Sequence, residues 1–251
     1  MAQHLFIITG ASRGMGLAIA RQLLKPANTL LCISRSANEP LAVQAQQLSV
    51  PLTQWAQDLA LGADTSAKLE QWLREQSGAN FASATLINNA GVIARICPLR
   101  EADADDLSNA LRVGLEAPMQ LTSAFLRVTD GWTGLRKVLN ISSGLGRRAM
   151  ASQSGYCAAK AGMDHFTRCV ALEEALKSNG AKVCSLAPGV IDTEMQVQLR
   201  SADSNAFPDR SSFINLKASG SLASPDEAAQ RVLAVLMRAD FGVNSVADVR
   251  D

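Results

Sequence analysis

Near the start of the chain the apolar run Leu5-Phe6-Ile7-Ile8 leads straight into Thr9-Gly10-Ala11-Ser12-Arg13-Gly14-Met15-Gly16, and an amphipathic stretch follows. This order narrows the fold more than any other feature. A short, unbroken apolar run is a strand buried on both faces, and such strands belong to parallel sheets covered by helices. Glycines between strand and helix permit a tight turn and close backbone approach to a ligand. The free N–H groups and the dipole at the helix start favour an anion there. The segment therefore reads as a pyrophosphate cradle made by Gly10, Ser12, Arg13, Gly14, Met15 and Gly16.

The same alternation runs down the chain. Further strands are expected near 29–33, 52–55, 84–87, 137–141, 181–186 and 243–249, and helices over 14–24, 40–48, 67–76, 104–129, 154–178 and 225–238. Ser224 is the expected N-cap of the last helix, with Pro225 in its first turn and Glu227 at the capping-box position. Strands alternating with helices, joined by right-handed crossovers, predict an α/β Rossmann fold: a doubly wound parallel sheet with helices on both faces, in a single domain over 1–251. The polar, irregular stretch around 195–220 is too long for an ordinary connection and is expected to be a mobile substrate loop.

Composition excludes several function classes. With 24 basic and 23 acidic residues, the chain lacks the surplus of positive charge that broad binding to nucleic acid or an anionic membrane requires. No apolar stretch reaches the roughly 18 residues of a membrane span. Met1 to His4 lead into the first strand without a signal-peptide pattern. Five cysteines without a CxxC pair read as small buried hydrophobes in a reducing compartment, so a cytoplasmic location is expected. His4 and His165 lie far apart without ligand spacing, so neither a metal site nor a histidine-based triad is expected.

The second strand ends in Ser34-Arg35-Ser36, where an NAD-binding chain of this kind would carry a carboxylate for the ribose 2′-hydroxyl. Nothing there repels a 2′-phosphate. Arg35 can pair with one through its guanidinium fork, and Arg13 can approach from the glycine loop. The expected cofactor is NADP(H) rather than NAD.

Five motifs in order now carry a family resemblance over essentially the whole chain. They are Thr9-Gly10-x3-Gly14-x-Gly16, Asn88-Asn89-Ala90-Gly91, Ser143, Tyr156-x3-Lys160 and Pro188-Gly189-x3-Thr193. Together they resemble the short-chain dehydrogenases/reductases. The C-terminal half, notably 185–196, 216–222 and 247–250, is most similar to the sepiapterin reductase and benzil reductase-like subgroup. The resemblance implies cofactor contacts from Asn89, Ala90, Gly91, Tyr156, Lys160, Pro188, Gly189, Val190, Ile191 and Thr193, and from Asp58 and Leu59 at the adenine. It implies Ser143, Tyr156 and Lys160 as catalytic residues, and substrate contacts from Ser143, Tyr156, Gly189 and Asp248. It also implies a homodimer or homotetramer paired through two long helices.

The residues account for such chemistry on their own terms. Reduction of a carbonyl by a nicotinamide needs a hydride for carbon and a proton for oxygen. A free phenol, with a pKa near 10, exchanges protons poorly at neutral pH, and a neighbouring lysine cation is expected to lower it. A spacing of four puts Tyr156 and Lys160 on one helix face. Ser143 would donate to the substrate oxygen as charge develops, and Tyr156 would protonate it. Tyr156 is the only tyrosine in the chain. Ser142 reads as a backbone-bonding neighbour. Arg147 and Arg148 read as solvated rather than substrate-binding, and Met150, Met195 and Phe213 as either pocket lining or packing.

One position departs from the family pattern. Val113-Gly114-Leu115-Glu116-Ala117-Pro118 has Gly114 where similar enzymes carry an asparagine thought to hold a water near the lysine. Either a water fills the space and binds backbone carbonyls, or proton relay is impaired. Two functions follow: an NADPH-dependent reductase of a ketone or dicarbonyl, and a catalytically weak NADP-binding sensor.

Overall fold

The computed structural model describes residues 3–251; Met1 and Ala2, read as leading into the first strand, lie outside the described residues. Seven parallel strands form one sheet in the order β3-β2-β1-β4-β5-β6-β7. They are β1 (Gln3–Thr9), β2 (Asn28–Ser34), β3 (Leu52–Ala56), β4 (Phe81–Asn88), β5 (Leu135–Ile141), β6 (Lys182–Ala187) and β7 (Val246–Asp248). Among the described residues the α-helices, in chain order, are α1 (Gly14–Leu23), α2 (Glu39–Gln47), α3 (Gly62–Arg74), α4 (Ala104–Leu111), α5 (Ala117–Thr129), α6 (Ser154–Ala175), α7 (Glu194–Ser201), α8 (Arg210–Ala218) and α9 (Pro225–Met237).

Side chains of a strand alternate between faces, and the two halves of the core follow that alternation. Phe6, Ile8, Leu30, Cys32, Ile87, Leu139 and Leu186 pack with α1, α2 and α9. Leu5, Ile7, Leu31, Ile33, Leu86, Val138 and Val183 pack with α3, α5 and α6. Both faces are covered, which is why the strands read as unbroken apolar runs. The strand order reverses between β1 and β4, which opens a crevice at the carboxyl ends of the strands, where doubly wound sheets bind ligands.

Three expectations need correction. The helix read as continuous over 104–129 is α4 and α5 joined by five residues of π-helix, Arg112–Glu116, centred on Gly114. The stretch around 195–220 is not irregular: it forms α7 and α8, held by an apolar cluster. α3 begins at Gly62 rather than near 67, because a short 3-10 turn capped by Asp58 feeds straight into it. The capping box of α9 forms as expected, with Ser224 and Glu227 bonded reciprocally.

Among the described residues no helix is long and apolar enough to cross a membrane, and no group of three His, Cys, Asp or Glu side chains is placed to hold a metal. The five cysteines are free thiols, but only Cys32, Cys97 and Cys184 are buried as expected; Cys157 is half-buried and Cys169 exposed on α6.

Candidate active site

The glycine loop owes its shape to contacts that leave no room for a Cβ. A Cβ on Gly16 would lie 2.2 Å from the carbonyl oxygen of Gly10, and one on Gly10 would lie 2.9 Å from Ala90 Cα. Gly10 and Gly14 also adopt positive φ, +67° and +55°. Asn89 staples the loop from the end of β4. Its Nδ2 donates to the carbonyls of Thr9 and Gly10 at 3.0 and 3.3 Å, while the Thr9 hydroxyl accepts from the backbone N–H of Asn89 and Ala90. α1 then starts at an N-cap, Arg13, whose side chain makes no capping bond. The first N–H groups of that helix are left to an external acceptor.

The loop opens into a cleft of about 1150 Å³ that runs along the carboxyl ends of the strands. Every residue expected at the site lines it: the glycine loop with Ser12, Arg13 and Met15; Ser34 and Arg35; Asp58 and Leu59; Asn89, Ala90 and Gly91; Ser143, Tyr156 and Lys160; Pro188, Gly189, Val190, Ile191 and Thr193; and Asp248. Ser34 Oγ is buried on the cleft wall without a hydrogen-bond partner, next to the exposed Arg35. An unpartnered hydroxyl beside an exposed guanidinium, and a crowded glycine turn at an uncapped helix start, make this end of the cleft rich in donors for an anionic ligand.

The polar centre lies where β5 and α6 meet. Ser143 ends the β5 connection in extended backbone, and its Oγ accepts from Leu145 N at 3.2 Å. Tyr156 is in the first turns of α6, and Lys160 is one turn on. Lys160 is almost wholly buried; its Nζ donates to the carbonyl of Ile141 at 2.7 Å and sits 5.8 Å from the Tyr156 ring centroid. Burial pushes Lys160 down to about 8, against the opposing charge of Asp164. Burial also raises the Tyr156 phenol above its ordinary value, the Ser143 hydroxyl offsetting this in part. The sequence suggested a phenol lowered by its lysine; here burial is the largest influence and outweighs the hydrogen bond of Ser143.

Beneath the cleft a buried polar string joins three elements: Asn88 Nδ2 donates to Asn140 Oδ1 at 2.8 Å, and Asn140 Nδ2 to Thr167 Oγ1 at 2.9 Å. Ser142 donates its backbone N–H to Leu186, but its hydroxyl is buried without a partner. Above the cleft, Leu199, Phe207 and Phe213 pack with Ile93, Met150 and Met195 as an apolar roof. Lys217 ties α8 to Asp192 at 2.5 Å, and Ser152 Oγ donates to Ala206 O.

Two expectations about the rim change. Asp248 lines the cleft, but both its oxygens are taken by Arg250, at 2.7 and 2.6 Å, which holds the carboxyl below its usual range. Arg147 is not simply solvated; it pairs with buried Asp164 and donates to Ala247 O. Sequence reasoning missed Asn109, Gln196 and Arg250 on the lining. Gln196 and Arg250 fall within the segments 185–196 and 247–250 that carry the subgroup resemblance, which assigns them no role, and Asn109 sits in a helical pattern with no break to mark it.

A family model described as short chain dehydrogenase matches residues 4–204. The chain belongs to that family. This short-chain dehydrogenase is accordingly an oxidoreductase, and several of its relatives come from the subgroup suggested by its C-terminal half. A benzil reductase ((S)-benzoin forming) of Bacillus cereus is 37% identical over 235 residues, covering 94% of each chain. The sepiapterin reductase of Rattus norvegicus is 31% identical over 258 residues, covering 98% of this short-chain dehydrogenase and 95% of its own length. Among solved structures, the KRED1-Pglu enzyme superposes with a TM-score of 0.82 at 26% identity, covering 98% of this chain and 100% of that one.

Proposed function

We propose that this short-chain dehydrogenase is an NADPH-dependent reductase of a ketone or dicarbonyl, with Tyr156 as proton donor. The observation that carries the reading is the gathering of Ser143, Tyr156 and Lys160 in the same cleft as the glycine cradle. The cradle at the start of α1 would hold the pyrophosphate, Ser34 and Arg35 the 2′-phosphate, Asp58 and Leu59 the adenine. Asn89 to Gly91, Lys160 and the Pro188–Thr193 segment would hold the ribose and nicotinamide. When bound, the reduced nicotinamide supplies the hydride for the carbonyl carbon.

The chain's own residues supply the rest. Ser143 donates a hydrogen bond to the substrate oxygen, where negative charge grows. Tyr156, kept protonated by burial, hands its proton to that oxygen. Lys160, cationic below about pH 8, favours the phenolate left behind. Gly189 and Asp248 border the substrate. The apolar roof suits a bulky, uncharged substrate. Arg250 occupies both oxygens of Asp248, so that carboxylate is engaged rather than free for the amino group of a pterin, which favours an aromatic diketone of the kind benzil reductases are named for. We further read the protein as cytoplasmic, given its free thiols, and as a dimer or tetramer.

The test is NADPH oxidation with a panel of diketones. Tyr156→Phe is expected to lose at least ~100-fold in kcat, while NADPH binding, followed by nicotinamide fluorescence, changes little. Turnover that survives loss of the phenol overturns the mechanism. NADPH binding without turnover of any carbonyl by the unaltered protein would favour the sensor.

A further inference from the structure

A carboxylate that this chemistry does not use lies directly behind the site. Asp164 is one helical turn beyond Lys160 on α6 and only 1% exposed. Its Oδ1 accepts from Ser185 Oγ of β6 at 2.7 Å, and its Oδ2 accepts from Arg147 Nε at 3.3 Å. The same guanidinium donates through Nη2 to the carbonyl of Ala247 on β7 at 2.8 Å. A Cβ on Gly146 would come within 2.9 Å of both Asp164 Oδ2 and Lys160 O, so the loop after Ser143 lies flat on the helix. A buried carboxylate is costly unless paired. Here the pairing draws together the loop carrying Ser143, the helix carrying Tyr156 and Lys160, and the strand ending at Asp248.

We propose that Asp164 is a positioning residue of the site, fixing the Ser143 loop and β7 against α6 through Arg147 and setting a negative charge behind Lys160. Its kinetic consequence rests on the reductase reading; its electrostatic consequence does not. Lys160 loses hydration in this pocket, and the anion whose charge opposes that loss is Asp164. The other titratable groups around it supply none at neutral pH. Tyr156 on α6 is a phenol raised by burial, Cys184 on β6 is a thiol pushed up to about 11, and Arg147 on the loop is a cation.

Asp164→Asn keeps the shape and removes the charge. In cofactor-free protein carrying ¹³C-labelled lysine, with Lys160 assigned by its loss in Lys160→Met, the Lys160 titration midpoint is expected to fall by about half a pH unit or more. In the holoenzyme the alkaline limb of the kcat profile should move down with it, while KM for NADPH stays within about 2-fold. Arg147→Gln cuts the tie but leaves the anion, so kcat should fall at least ~3-fold without a downward move of that limb. A purely structural role would move both variants alike. An unchanged Lys160 midpoint in folded Asp164→Asn overturns the inference. Should that variant fail to fold, an unaltered kcat in Arg147→Gln overturns it instead. If the protein reduces no carbonyl, the reductase reading fails, and the titration still decides the charge.

Discussion

At the scale of single residues, a buried lysine and an orphaned hydroxyl say most about what the cleft is for. Burial pushes Lys160 down from its ordinary 10.5 to about 8, so the folded state bears a cost while the lysine is charged. Below pH 8 that cost is fully present. Between about pH 8 and 10.5 the unfolded chain holds the proton that the folded one has released, so this contribution to stability rises with pH. Lys160→Met should therefore stabilise the protein by roughly 2 kcal/mol at pH 7, after allowing about 1 kcal/mol for the lost bond to Ile141. The gain should disappear above about pH 10.5. Urea unfolding at pH 7 and pH 10.5 measures both. Ser34 and Arg35 make a second prediction. Arg35→Asp removes a cation and adds an anion beside the unpartnered Ser34 hydroxyl, and should shift the kcat/KM preference from NADPH toward NADH by about 10- to 100-fold, from the ~1.5–3 kcal/mol of a charge-assisted bond. A stable preference for NADPH would remove Arg35 from the 2′-phosphate.

At the scale of elements, Gly114 is the informative case. Glycine within a helix costs about 1 kcal/mol against alanine, and the sequence offered no offset. The structure has one. Gly114 lies in the π-helical turn between α4 and α5, and a Cβ there would stand 3.2 Å from Ala159 Cβ, next to Lys160 on α6. The glycine lets α6 approach. Gly114→Asn should thus press on α6, lowering the melting temperature by a few degrees and leaving kcat no higher. A large rise in kcat would instead mean that the missing side chain limits proton relay. The strands were legible because burial on both faces writes itself as apolar runs such as Leu5-Phe6-Ile7-Ile8. The π-turn was not, because the apolar spacing continues across it. α7 and α8 were hidden for another reason: their buried residues, Leu199 and Phe213, face a small separate cluster instead of the main core, and Ser201-Ala202-Asp203-Ser204-Asn205 between them reads as loop.

At the scale of the whole molecule, the candidate site was legible where local motifs bring it together and opaque where distant segments meet. Asn89 and the glycine loop announce themselves by residue type. The grip of Arg250 on Asp248 and of Arg147 on Asp164 does not, because charged residues spaced like these usually face water. Leu172 near the end of α6 and Leu176 at its C-cap are 72% and 89% exposed, at a spacing of four. Apolar side chains presented together on one helix favour self-association, in keeping with the proposed dimer or tetramer. Changing both to lysine should reduce the mass measured by sedimentation from a multiple of 26.6 kDa toward that value. An unchanged sedimentation mass would put the contact elsewhere. The buried string of Asn88, Asn140 and Thr167 has a consequence for redesign. It keys two strands and a helix into one rotational setting, so remodelling for new substrates belongs in the two-helix canopy, and any change to the foundation will be felt by every group resting on it.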